Sequence, residues 1–188
     1  LSIEASGRPV ANPEAKPTAR GTLVWPGAAG ATNWWPTSFD PDRGLLVVPT
    51  LNRASVYFLD SDDVYRPGKE YLGGSSAPAR EASALQIIAI DPSSREVKWR
   101  SVIPRTDRDY LGGTMTTSGG LTFAGAGTAL YILDTNSGER LRTVELGGAV
   151  LAPPVAFGLP GKCVVVVAAG ANIFAFSATR VDSSVGPS

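Results

Sequence analysis

The chain reads as short apolar runs separated by turn residues. Leu45-Leu46-Val47-Val48-Pro49 follows Asp40-Pro41-Asp42-Arg43-Gly44, a turn with Pro at a favoured position and Gly closing it. Ser55-Val56-Tyr57-Phe58-Leu59 is a second run. The same pattern predicts strands at Ala84–Ile90, Val97–Val102, Gly120–Ala124, Ala129–Leu133, Arg140–Glu145, Pro154–Phe157, Cys163–Ala168 and Ile173–Ser177. No stretch shows a helical period. Residues 60–83 are rich in Asp, Gly, Ser, Pro and charge, and predict a long surface loop. Residues 1–20 are polar, carry Pro9, Pro13 and Pro17, and predict an irregular connector. Strands are expected over 21–178, and a flexible tail over 179–188.

One segment repeats. Ile87-Ile88-Ala89-Ile90-Asp91-Pro92-Ser93-Ser94-Arg95-Glu96-Val97-Lys98-Trp99 lines up with Leu130-Tyr131-Ile132-Leu133-Asp134-Thr135-Asn136-Ser137-Gly138-Glu139-Arg140-Leu141-Arg142. Each copy is an apolar strand, an Asp-led hairpin turn and an outer strand. An Asp carboxylate can accept backbone N–H groups two or three residues on and so hold such a turn. Asp91 and Asp134 are spaced within the ~40–50 residues of a propeller-blade repeat. By this count residues 21–178 hold about four blades, some incomplete.

Charge and composition remove several classes of function. Net charge is zero with both signs interspersed, so no basic stripe points to nucleic acid and no charge run to a membrane surface. The chain has no histidine, which excludes Ser-His-Asp and Cys-His catalysis, His-rich zinc sites and c-type haem attachment within it. The single cysteine, Cys163, begins an apolar run and reads as a small buried hydrophobe. No segment reaches the roughly 18 apolar residues of a membrane span, and no signal peptide is visible. The chain starts at Leu1 in strandless sequence, and reads as a fragment or processed piece of something longer.

Two segments carry candidate chemistry. The first is Trp25-Pro26-Gly27-Ala28-Ala29-Gly30-Ala31-Thr32-Asn33-Trp34-Trp35-Pro36. Asn33 reads either as a turn residue beside aromatic packing or as one wall of a flat ligand. In the second reading its amide supplies a donor and an acceptor, and Trp34 supplies an apolar face and one N–H. The second segment is Gly112-Gly113-Thr114-Met115-Thr116-Thr117-Ser118-Gly119-Gly120-Leu121-Thr122-Phe123-Ala124-Gly125. Its glycines permit close strand packing.

Together these segments and the repeat resemble the C-terminal half of the PQQ-dependent alcohol and sugar dehydrogenases. The resemblance covers about residues 3–176. It implies an all-β fold, part of an eight-bladed quinoprotein-type β-propeller built from four-stranded antiparallel blades. It implies that Asn33 and Trp34 line the PQQ pocket and that Trp35 is a packing or substrate-mouth residue. Leu111 stands where some relatives place a Trp against the cofactor and sugar-oxidising relatives a Leu; it reads as core or as cover for one quinone edge. Gly170-Ala171 matches a corner whose backbone approaches PQQ, and otherwise reads as a strand-ending turn. Trp99 takes the place of a tryptophan that packs between blades, while Arg142 stands where a second is expected.

By the same resemblance a calcium or lanthanide ion accompanies PQQ. Its ligands and the Asp base lie in the half preceding this segment, and no match for them occurs here. Asp91 and Asp134 read as turn residues, and Asp60, Asp62, Asp63, Asp107 and Asp109 as loop charges; a divalent site at Asp60-Ser61-Asp62-Asp63 lacks the Gly turn and distal Glu of an EF-hand loop. The implied activity is oxidation of a primary alcohol, polyol or sugar in the periplasm, with a separate electron acceptor because no haem motif is present. Unpaired blade edges require a partner, either the N-terminal half of the propeller or another copy of the chain. The alternative is a quinoprotein-like propeller without cofactor, serving as a binding or assembly scaffold.

Overall fold

Among the described residues of the computed structural model (2–60, 64–80, 84–104, 111–160 and 162–178), fourteen β-strands and one 3-10 turn, Pro13–Ala15, make up the regular structure. Ser61, Asp62, Asp63, Asp107, Asp109 and the expected tail lie outside those residues. The fold is nearly all β with antiparallel sheets. Contacts divide the chain into two units. One comprises Leu1–Ala31 and Asn52–Ser83, the other Thr32–Leu51 and Ala84–Ser188.

In the first unit β1 (Thr22–Val24), β4 (Ser55–Leu59) and β5 (Gly74–Pro78) form a sheet in the order β1-β4-β5. Strand β5 corrects the expectation of an uninterrupted loop over 60–83. Its sequence, Gly-Ser-Ser-Ala-Pro, has no apolar alternation, and it forms by pairing its backbone to β4 from Leu59↔Gly74 to Ser55↔Pro78. The loop after β1 is clamped to β4. The Gly27 N–H donates to the Arg53 carbonyl (2.7 Å), and the Ala28 N–H to the Ser55 hydroxyl (3.0 Å).

The second unit holds three sheets. Strands β2 (Ser38–Asp40), β3 (Leu45–Asn52), β6 (Ala84–Asp91) and β7 (Glu96–Ile103) form a four-stranded sheet in that order. Strands β8 (Leu111–Thr116), β9 (Leu121–Ala126), β10 (Ala129–Asp134) and β11 (Arg140–Glu145) form a second. Strands β12 (Val155–Leu159), β13 (Lys162–Ala169) and β14 (Asn172–Ala178) form a three-stranded sheet. Alternate residues of β6, namely Leu85, Ile87 and Ala89, are buried, as the period of two requires. They share one core cluster with Leu45, Val47, Trp99, Tyr131 and Leu133. A second cluster joins Phe123, Leu130, Val150, Val165 and Val167.

Three turns share one design. Asp91 accepts from the N–H groups of Ser93 (2.9 Å) and Ser94 (3.3 Å), and Asp134 from those of Asn136 (3.0 Å) and Ser137 (2.9 Å). Asp40, read from sequence only as part of a Pro-Gly turn, does the same for Asp42 (3.0 Å) and Arg43 (3.2 Å). It also pairs with the Arg43 guanidinium at 2.9 Å. The fifth residue of each turn has left-handed backbone: Gly44 at φ +65°, Arg95 at +61° and Gly138 at +72°. Glycine adopts that conformation without strain, and arginine does not.

The turn after β10 is where one sheet docks on the next. The Trp99 indole from β7 lies against Gly138, where any Cβ would collide with the ring. At Arg142 there is no such indole. It lines a cavity of about 320 Å3 between the second and third sheets, walled by Leu121, Phe123, Leu130, Val165 and Phe176.

Candidate functional site

The Asn33–Pro36 segment leads into β2, and of its four residues Trp35 alone is buried. Asn33 faces outward, Trp34 is 65% exposed, and Trp35 is buried in the core cluster that contains Leu111. The two indoles sit 6.2 Å apart at 44°. Trp35 is therefore a packing residue that anchors the segment, while Asn33 and Trp34 before it are exposed. Strand β8 holds the segment and the start of β2 by hydrogen bonds. The Thr114 N–H donates to the Pro36 carbonyl at 3.0 Å. The Ser38 hydroxyl donates to the Thr114 hydroxyl (3.0 Å), which donates to the Val47 carbonyl (3.2 Å). The Thr116 hydroxyl donates to the Phe39 carbonyl (3.2 Å).

Close backbone approaches continue from there. Gly113 has φ +103° and lies at a register shift between β8 and β9. A Cβ on it would sit 3.0 Å from both the Pro36 ring and the Pro36 carbonyl, and 3.2 Å from Pro153. A Cβ on Gly112 would sit 2.7 Å from the Ala152 carbonyl. The same connecting segment then reaches the β13–β14 corner. The Gly170 N–H donates to the Ala149 carbonyl at 2.9 Å, and a Cβ on Gly148 would sit 2.8 Å from the Gly170 nitrogen. At Gly112, Gly113 and Gly148 along this seam a side chain is excluded because neighbouring atoms already fill its space.

The seam links the candidate residues. Asn33 and Trp34 lie at one end, Gly170 and Ala171 at the other, both ends exposed. Leu111 stands between them at the start of β8 but is fully buried. Its side chain packs into the core cluster rather than onto an open face. The exposed groups here are the Trp34 aromatic face, the Asn33 amide and the Gly170–Ala171 corner.

The acids of this unit do other work. The Ser93 and Ser94 hydroxyls and N–H groups hold Asp91 well below the usual carboxylate range. The Ser137 N–H and hydroxyl, with the Asn136 N–H, lower Asp134 likewise. Hydrogen bonds to the charged form stabilise it, which suits turn residues and not proton acceptors at neutral pH. Among the described residues no three His, Cys, Asp or Glu side chains converge. The sequence pattern does not mark Thr114 or Ser38, and it shows Asp40 only as the start of a Pro-Gly turn. Asp40 shares the Asp-led spacing of the other two turns, a signal hidden by Arg43 in place of Ser.

No family model matches the chain. The quinohemoprotein alcohol dehydrogenase ADH IIB of Pseudomonas putida is 29% identical over 88% of this chain and 24% of its own length. The 1-butanol dehydrogenase (cytochrome c) of Thauera butanivorans is 30% identical over 89% of this chain and 26% of its own length. The chain thus spans about a quarter of the length of the curated relatives it matches. The crystal structure of quinohemoprotein alcohol dehydrogenase from Comamonas testosteroni superimposes with a TM-score of 0.77 at 26% identity, over 89% of this chain and 26% of that one. The relatives and structural neighbours of this chain are PQQ-dependent quinoprotein alcohol dehydrogenases, β-propeller enzymes, and it matches their C-terminal region.

Proposed function

We propose that this chain is the C-terminal part of a PQQ-dependent dehydrogenase and forms one wall of its cofactor pocket. The observation that carries the reading is the exposed Asn33–Trp34 ledge and the exposed Gly170–Ala171 corner, at the two ends of the close approaches around Gly112, Gly113 and Gly148. Trp34 covers a face of the quinone, Asn33 hydrogen-bonds a carbonyl or carboxylate at its rim, and the Gly170–Ala171 backbone closes one edge. Leu111 supports this wall from the core rather than touching the ligand, in keeping with its burial. PQQ, when bound, supplies the two-electron acceptor for the substrate's hydride. The accompanying calcium or lanthanide ion and the base belong to residues outside this chain. The substrate is an alcohol, with polyols and sugars as finer possibilities. Electrons pass to a separate acceptor, such as the cytochrome c named for the butanol dehydrogenase. The remaining propeller blades are the partner, and the site of action is the periplasm.

The test uses the intact protein, reconstituted with PQQ and a calcium or lanthanide salt. Dye reduction dependent on alcohol, polyol or sugar supports the reading. Failure to bind PQQ with no turnover on any of these points to the scaffold alternative.

A further inference from the structure

Thr114 has no part in the pocket wall just proposed, yet it holds that wall. It is 3% exposed and lies on β8, three residues beyond Leu111. Its N–H donates to the Pro36 carbonyl at 3.0 Å. Its hydroxyl donates to the Val47 carbonyl at 3.2 Å and accepts from the Ser38 hydroxyl at 3.0 Å. One residue therefore binds the end of the Asn33–Pro36 segment, strand β2 and strand β3.

We infer that Thr114 is a positioning residue that fixes the Asn33–Trp34 ledge for the flat cofactor. The inference rests on the reading of Asn33 and Trp34 as that wall. The hydroxyl has one proton, committed to Val47, so its rotor is set and an acceptor lone pair is presented to Ser38. Pro36 has no N–H to tie its own end of the segment, so its carbonyl carries the bond to β8. Gly113, with no Cβ, lets the Pro36 ring approach the strand beside Thr114. Thr116 makes a similar bond to Phe39, but farther from the ledge and in a more exposed setting. A precise ligand wall needs such support from behind, since a shift of about an ångström is enough to weaken a directed contact.

The test compares the intact protein with its Thr114→Val, Thr114→Ser, Ser38→Ala and Asn33→Ala variants. PQQ is titrated by quenching of tryptophan fluorescence, and the melting temperature of each variant is recorded alongside. Thr114→Val keeps the shape and the Pro36 bond but loses both hydroxyl contacts; it is expected to weaken PQQ binding about tenfold, the scale of one buried hydrogen bond. Thr114→Ser keeps the hydroxyl and is expected to stay within about threefold of the parent. Wild-type affinity in Thr114→Val, or equal losses in the Val and Ser variants, overturns the inference. If Thr114→Val does not fold, Ser38→Ala decides. It removes one of the two hydroxyl contacts, so a loss of about threefold supports the inference and no loss overturns it. Unchanged binding in Asn33→Ala removes the wall reading and this inference with it. Weakened binding there, with parental binding in Thr114→Val, removes the inference alone.

Discussion

The Trp99 indole N–H donates to the Thr135 carbonyl at 2.9 Å, from the last strand of one sheet onto the turn of the next. The bond is buried, and the ring lies over Gly138 in the same turn. One side chain thus supplies apolar area and a directed polar contact between two sheets. Tryptophan is suited to this, with a large apolar body and a single donor. Trp99→Ala is expected to destabilise by about 3–5 kcal/mol, the range for removing a buried large aromatic. Trp99→Phe should cost less, because it keeps ring packing and loses the bond. Denaturant unfolding of both variants measures the difference. Equal stability of Trp99→Ala and the parent would contradict the docking role.

The fifth turn position offers a stabilising change. Arg95 occupies the left-handed backbone that Gly44 and Gly138 occupy in the matching turns. Replacing it removes strain of about 1 kcal/mol, partly offset by the greater freedom of glycine in the unfolded chain. Arg95→Gly should therefore raise the melting temperature slightly. Gly138→Ala should lower it strongly, since its Cβ has nowhere to go beside Trp99. Both are read in one thermal-melt series.

The Asp turns predict a pH dependence. Asp134 has its pKa lowered from the usual 3.8 by Ser137 and Asn136 in the folded state. A lowered folded pKa means a stability contribution present in full above the unfolded value. That contribution declines as pH falls below about 3.8 and through the lowered native value. The stability gap between the parent and Asp134→Asn should be constant above about pH 5 and shrink below it. A gap that grows on acidification would show the opposite sign of coupling.

Much of the fold is legible in the sequence where apolar runs are bounded by turn residues. Strands β6 and β10 are such runs, each ending in an Asp-led turn, and the repeat between them locates Trp99 at its inter-sheet position. Arg142 marks the place where the next contact differs, and a cavity lies there. Strands β2, β5 and β8 are hard to read because they are short, polar or glycine-rich, so pairing rather than local pattern makes them. For the candidate site, Asn33 and Trp34 stand out as neighbours in a Trp-Pro-Gly context. The seam behind them does not. Pro36, Gly113 and Pro153 meet across large sequence separations, and a glycine's reason for being glycine is visible only once its neighbours are placed. Leu111 shows the same limit, since its position suggests a ligand edge and its packing places it in the core.

Asn33 carries the most direct prediction on binding. Asn33→Ala should weaken PQQ binding in the intact protein by a few kcal/mol at most, on the scale of a lost buried hydrogen bond. Isothermal titration with PQQ measures it. Trp34→Ala should also lower affinity, by removing the aromatic face, and leave the melting temperature nearly unchanged because that indole is largely exposed.

Native mass spectrometry of the purified intact protein tests the central claim most directly. The account predicts a mass that includes one PQQ and one calcium or lanthanide ion, with PQQ lost more readily from Asn33→Ala. A folded protein that carries no PQQ and takes none up when PQQ and metal are supplied would contradict it.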